Sequence, residues 1–265
     1  MSSSYRRSPA ALSFLAATVF AVTACSGPSL PALTDPTEIV KAGLKSAESA
    51  RSVHIDATLE GSINADLTGG VGAATTFPLS GTSASADVDI AAGKAHATFA
   101  IPAFLNLQGE LIQIGETSYL KTTLSGPLFE TQQVTDALPV DPTDPSGIID
   151  DVGDFLLADG VDPVKGEDVD CGGKQCYTVM IELTPDELAA LGATAPTASD
   201  LPIDIGSASL ALTIRVEKDT YHLAGISAAV SLGDQGSLNL NLTMTKWDEP
   251  VAISPPPADQ IKPAP

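Results

Sequence analysis

Over much of its length the chain alternates apolar with polar residues at a period of two. Val53, Ile55, Ala57 and Leu59 alternate with His54, Asp56, Thr58 and Glu60, the pattern of a strand with one buried face. Val88 and Ile90 repeat it between Asp87 and Asp89, and Ala97, Phe99 and Ile101 follow a turn at Ala92-Gly93. Ile112 and Ile114 lead through Gly115-Glu116-Thr117 into Tyr119, a predicted hairpin. The segment 61–84, rich in Gly, Ala and Thr, reads as a weak hairpin plus loop. The pattern resumes at Tyr177, Val179, Ile181 and Leu183 and dominates the last third. There Leu210, Leu212, Ile214 and Val216 make one row, Ile226, Ala228, Val230 and Leu232 a second, and Leu238, Leu240, Leu242 and Met244 a third. Such strands pair antiparallel and carry one greasy face.

Three stretches break that period. Asp35-Pro36-Thr37-Glu38 has a capping residue, a proline at the first helical position and an acid in the first turn. Ile39, Val40, Ala42, Leu44 and Ala47 then predict a helix over about 36–50. "GIIDDVGDFLLADG" spaces Ile148, Ile149, Val152, Phe155 and Leu156 as a second helix. Thr184-Pro185-Asp186-Glu187 opens a third, ended by Gly192. The expected class is α+β: a curved antiparallel sheet of about ten strands with amphipathic helices on its apolar face. The pattern leaves open whether those helices fill the space beneath them or leave a cavity.

The N-terminal segment is different in kind. Arg6 and Arg7 precede an apolar run from Pro9 to Ala24, too short to span a bilayer as a helix, which reads as a secretory signal. Val22-Thr23-Ala24-Cys25 is similar to the bacterial lipobox, in which the cysteine thiol receives a diacylglycerol. Cys25 is therefore the expected lipid anchor, with fatty acylation at the mature N-terminus. The alternative is an ordinary signal cleaved near Ala24 with an incidental thiol. The other cysteines, Cys171 and Cys176, flank Gly-Gly-Lys-Gln, a hairpin turn across which they can pair. A disulfide there implies an oxidising compartment such as a periplasm. A zinc site is the rival reading, but two cysteines without nearby histidines make a poor ligand set. The expected divisions are a signal at 1–24, a lipidated tether at 25–34, a folded domain at 35–253 and a disordered proline-rich tail at 254–265.

Charge narrows the partners. The net charge is −20, and the two arginines lost with residues 1–24 make it more negative. That argues against nucleic acid and against docking on anionic headgroups. Catalytic motifs fail on inspection. Ser118 and Lys121 match S-x-x-K, but a strand would turn them to opposite faces. His54, His96 and His222 fall at polar positions of separate strands without a neighbouring nucleophile. Asp141, Asp144, Asp150, Asp151, Asp154, Asp159 and Asp162 lack calcium-loop spacing. Asn241-Leu242-Thr243 matches a glycosylation sequon by chance. The expectation is no enzyme, no catalytic residue, no metal site and no cofactor.

One stretch is more specific. "LNLNLTMTKWDEPVAI" ends a two-periodic strand in Lys246-Trp247-Asp248-Glu249-Pro250. It resembles the closing strand of the mycobacterial lipoproteins of the LppX, LprA, LprF and LprG kind. "SARSVHIDATLEG", "SADVDI", "IIDDVGDFLLADGVDPVKGEDV" and "LTPDEL" resemble further blocks of that family in the same order. The resemblance covers about residues 33–253. It implies a half-barrel whose helices close the concave face over a large apolar cavity, binding acylated lipids or glycolipids and moving them between membrane and outer envelope. The apolar rows supply the expected lining: Val53, Ile55, Val88, Ile90, Leu210, Leu212, Ile214, Val230, Leu238, Leu240 and Leu242. The competing expectation is that these residues pack directly against helices in a filled core, as in an anchored structural or adhesion lipoprotein. Expected partners are the lipid ligand, the membrane through Cys25 and a membrane exporter; the expected state is monomeric. The expected location is the outer face of the cell membrane. The length of 61–84 and the Cys171–Cys176 pair depart from the family, so the lipid's identity does not carry over.

Overall fold

The computed structural model describes residues 30–65, 75–133, 146–192 and 207–263. Residues 1–24, Cys25, part of the 61–84 segment, and Asp141 and Asp144 lie outside the described residues.

Helix α1 (Pro36–Glu48) forms where the caps and spacing direct. The Asp35 carboxylate accepts from the Thr37 and Glu38 amides at 2.8 and 3.1 Å, and Ile39, Val40, Gly43, Leu44 and Ala47 are buried. Glu38 does not complete a reciprocal box; it pairs with Lys41 instead. Helix α2 (Ser146–Leu156) packs beside α1, with Leu156 buried. Helix α3 (Pro185–Gly192) opens with a reciprocal capping box, Thr184 amide to Glu187 carboxylate at 2.7 Å and Glu187 amide to Thr184 hydroxyl at 3.4 Å. That paired geometry holds the Glu187 carboxyl below its usual range.

The strands are β1 (Ser52–Ala65), β2 (Thr75–Pro78), β3 (Thr82–Asp89), β4 (Lys94–Ile101), β5 (Leu107–Ile114), β6 (Thr117–Thr122), β7 (Glu130–Gln133), β8 (Val164–Lys165), β9 (Val169–Asp170), β10 (Gln175–Leu183), β11 (Ser209–Glu217), β12 (Leu223–Ser231) and β13 (Gly236–Thr245). They form one antiparallel sheet in the order β7-β6-β5-β4-β3-β1-β13-β12-β11-β10-β8, with β2 on β1 and β9 on β10. The sheet is open and strongly curved, with the helices on its apolar concave face. β1 and β13, from opposite ends of the chain, join its two halves along His54–Ile63 and Gly236–Thr245.

The expected 36–50 helix, the hairpin at 115–117 and the three C-terminal rows all stand. The weak hairpin expected within 61–84 is the β1–β2 pair. The short strands β7, β8 and β9 have too few residues to show a period. His222 sits in the connection between β11 and β12 rather than on a strand.

The proline-rich tail departs from expectation. Residues 254–263 are ordered: the Phe129 amide donates to the Gln260 carbonyl and the Lys262 amide to the Phe129 carbonyl, both at 2.8 Å. The preceding Val251 and Ile253 pack with Ile112, Ile114, Tyr119 and Phe129. Those β5 and β6 residues face away from the helices, because Gln113 rather than Ile112 shares a row with Ala95 and Val88. An apolar outer stripe needs a cover, and the tail provides it.

The Lys246–Pro250 turn clamps the central seam. Lys246 and Asp248 have φ of 52° and 59°. The Asp248 carboxylate accepts from the Arg51 amide at 2.7 Å, and its own amide donates to the Ser52 carbonyl. The Trp247 indole donates to the Leu223 carbonyl at 3.0 Å and stacks on His222.

Candidate functional site

Cross-strand register arranges the apolar residues in rows along the helix-bearing face. One row runs Val53–Val88–Ala95, and another Ala57–Leu242–Ile226–Ile214–Val179. Beyond them lie Leu59–Leu240–Ala228–Leu212–Ile181 and then Leu238–Val230–Leu210–Leu183. Burial falls along this series on β1, β11 and β13, while Ile181 and Leu183 on β10 stay fully buried. Where α1 and α2 lie, Val53, Val88 and Ile214 are fully packed into the main core. Ile55, Ile90, Leu210, Leu212 and Leu242 are half-buried at its margin. Val230, Leu238 and Leu240 are half-buried and belong to neither described hydrophobic cluster. Leu59 and Ala228 share this exposed end. The period of two could have placed them with the others, since both sit in the same alternating runs.

α1 approaches the other end closely. A Cβ on Gly43 would stand 2.9 Å from Leu223 and 3.1 Å from Val216. The helix therefore rests on β11 and β12 with little slack, while α3 covers β10 and β11 through Leu188. The aliphatic surface between these two coverings is what a greasy ligand could use.

The two described pockets lie elsewhere, and neither includes any of the expected lining residues. One, of about 640 Å³, contains the polar-face rows Asp56–Ser85–Thr98–Glu110–Lys121 and Thr58–Ser83–Ala100–Gln108. Its one tight ionic contact is Lys121 to Glu110 at 2.6 Å, with His96 on the other carboxylate oxygen at 3.1 Å. The Lys121 hydrogen bond, helped by His96, holds the Glu110 carboxyl below its usual range against the opposing effect of burial. The second, of about 430 Å³, lies beside the Cys171–Cys176 disulfide, whose formation matches the sequence expectation. It mixes Lys174, Arg215 and Lys246 with Asp170, Glu217 and Glu249.

The residues weighed for catalysis do not converge. Ser118 is buried and donates to the Gln132 carbonyl at 3.2 Å, while Lys121 points to the other face and lies over the Phe129 ring. His54 is bracketed by Asp87 at 2.7 Å and Asp56 at 3.2 Å. His222 lies 4.0 Å from Glu217 and 3.8 Å from Asp248. Burial pushes its imidazole down from the usual range despite those carboxylates. Among the described residues no cluster of histidine, cysteine or acid could hold a metal, and no described helix is long and apolar enough to cross a membrane.

No family model matches the chain, and no curated protein matches it in sequence. Solved structures do match. LprF from Mycobacterium bovis superposes with a TM-score of 0.52 over 83% of this chain and 96% of its own, at 17% identity. The chain has the LprF fold. The Mycobacterium tuberculosis lipoprotein LppX covers 83% of this chain and all of its own at the same identity, with a TM-score of 0.48. In this chain β1 and β13 are the middle of the half-barrel, so the apolar rows cross from one end of the sequence to the other.

Proposed function

We propose that this protein is an envelope lipoprotein that binds an acylated lipid or glycolipid on the helix-bearing face of its sheet and carries it between membrane and outer envelope. The observation that supports this most is the group Val230, Leu238 and Leu240, half-exposed aliphatic side chains in register on a concave face and outside the packed clusters. A filled core would bury them with Ile214 and Val53. The work is shielding rather than bond-making: each methylene removed from water contributes about 0.8 kcal/mol. Bilayer interior offers a similar gain, so loading and release stay nearly balanced. Cys25, lipidated, would hold the domain at the outer face of the membrane, where two or more acyl chains are needed for stable anchoring. An exporter in that membrane is the natural supplier of cargo.

The test is direct binding. The full chain carrying Cys25→Ser, titrated with a fluorescent fatty-acyl probe, should bind it, and Leu240→Asp should weaken binding by about tenfold or more without loss of the circular dichroism spectrum. Equal affinity in both forms would sink the proposal.

A further inference from the structure

Three of the four most exposed large apolar side chains of the described residues gather at one place; the fourth, Val164, lies on β8 at the far edge of the sheet. Phe104, Leu105 and Leu124 are 58, 77 and 58% exposed. Phe104 and Leu105 cap the β4–β5 turn, and Leu124 caps the turn after β6. The Thr123 amide donates to the Gln108 carbonyl at 2.9 Å, and the Gln108 amide to the Thr123 hydroxyl at 3.2 Å, so the two turns stand side by side.

Both turns are built to hold their shape. Leu105 and Asn106 adopt φ of 54° and 52°, and the first turn is closed by amide bonds from Phe104, Asn106 and Leu107. The second is closed on Thr122 by the Ser125 and Gly126 amides. A left-handed leucine at a solvent-facing tip has no role in the core. Charge is missing as well: residues 99–109 and 122–129 contain none, in a chain that is 17% charged with a large acidic excess.

We infer that these tips are a lipid-docking edge that inserts Phe104, Leu105 and Leu124 into the interfacial layer of a neutral or zwitterionic bilayer. Two narrow turns cannot present the ~800 Å² per partner that a stable protein interface needs, whereas a few protruding apolar side chains suffice at a membrane surface. The uncharged stretches keep the acidic surface of the protein back from headgroups. The tips close the strand ends opposite to Tyr177 and Tyr221, which bind the backbone at Leu33 and Pro31. The lipid layer they enter therefore faces the end of the fold away from the chain's entry. This inference does not depend on the cargo reading, because it rests on the two turns alone, although they close the same strand ends as Leu59 and Leu240.

The experiment uses the full chain with Cys25→Ser in every sample, so that any contribution of residues 1–29 is common to all. Phe104→Trp adds a reporter at the tip to the single native Trp247, which is half-buried near Leu223. With phosphatidylcholine vesicles, the Phe104→Trp emission should shift to the blue and be quenched by brominated lipid. Leu105→Asn with Leu124→Ser should reduce vesicle partitioning by about tenfold or more. Asparagine tolerates the left-handed backbone at position 105, so the fold is retained. Quenching no greater than that of Trp247 alone, or partitioning of the double variant within twofold of its parent, overturns the inference. Probe binding in the cargo assay should be unchanged in the double variant, which separates failure of this edge from failure of the cargo reading.

Discussion

Gly236→Ala should open the seam that holds the two halves of the sheet together. Gly236 has φ 120° and ψ −157°, a region open essentially to glycine alone. A Cβ there would stand 2.0 Å from the Ser62 carbonyl oxygen, and the matching Cβ on Gly61 would stand 2.1 Å from the Ser237 oxygen. Both obstacles are backbone, so no rotamer relieves them and β1 and β13 must separate by roughly 1 Å. The conformational cost is about 1–3 kcal/mol. Weakening two ladder hydrogen bonds adds about 1 kcal/mol each. The expected loss is therefore about 3–5 kcal/mol, a large part of a typical domain's stability. The control is Gly93→Ala, also left-handed at φ 62° but with nothing within 4 Å of the new Cβ; it should cost about 1–2 kcal/mol. Urea unfolding followed by far-ultraviolet circular dichroism and Trp247 fluorescence measures both. Equal midpoints for Gly236→Ala and Gly93→Ala would refute the claim that backbone proximity at the seam matters.

Other outcomes follow from named contacts. Asp35→Ala removes the cap of α1 and should lower stability by about 1 kcal/mol in the same unfolding assay. Replacing Cys171 and Cys176 with serine should cost about 2 kcal/mol, measured against the oxidised parent. Lowering the pH should destabilise the fold in two stages. His222 is held neutral by burial, so from about 6.5 downward the unfolded chain takes up a proton that the folded one resists. Glu110 and Asp168, lowered by their lysine partners Lys121 and Lys218, contribute stability that is lost below 4.5 and 3.8. His222→Gln should abolish the upper stage alone; an unchanged stability–pH curve in that variant would show that His222 does not cause it.

Much of the fold was legible because local chemistry and tertiary packing agree. Asp35, Pro36 and the Ile39–Leu44 spacing specify α1 from within one segment, and Leu238, Leu240 and Leu242 alternate because they all point to the helix-bearing face of the sheet. What the period could not show was adjacency. Nothing near Ile55 indicates that its neighbour is Met244, since that pairing is made across 189 residues. Nor did it show the role of Val251 and Ile253: the apolar side of Ile112 and Ile114 is the outer one, and only the tail's path makes sense of it. The eleven expected lining residues share one face, yet alternation does not distinguish Ile214, fully packed, from Leu240, half-exposed. That difference depends on where α1 ends.

The central claim is that the concave face holds lipid. The most direct measurement is mass spectrometry of an organic extract of the Cys25→Ser protein, purified without detergent from its own host. The account predicts an acylated lipid at near-stoichiometric yield, reduced in parallel by Leu240→Asp. Folded protein that yields no acyl lipid, or the same amount with Leu240→Asp, would contradict it.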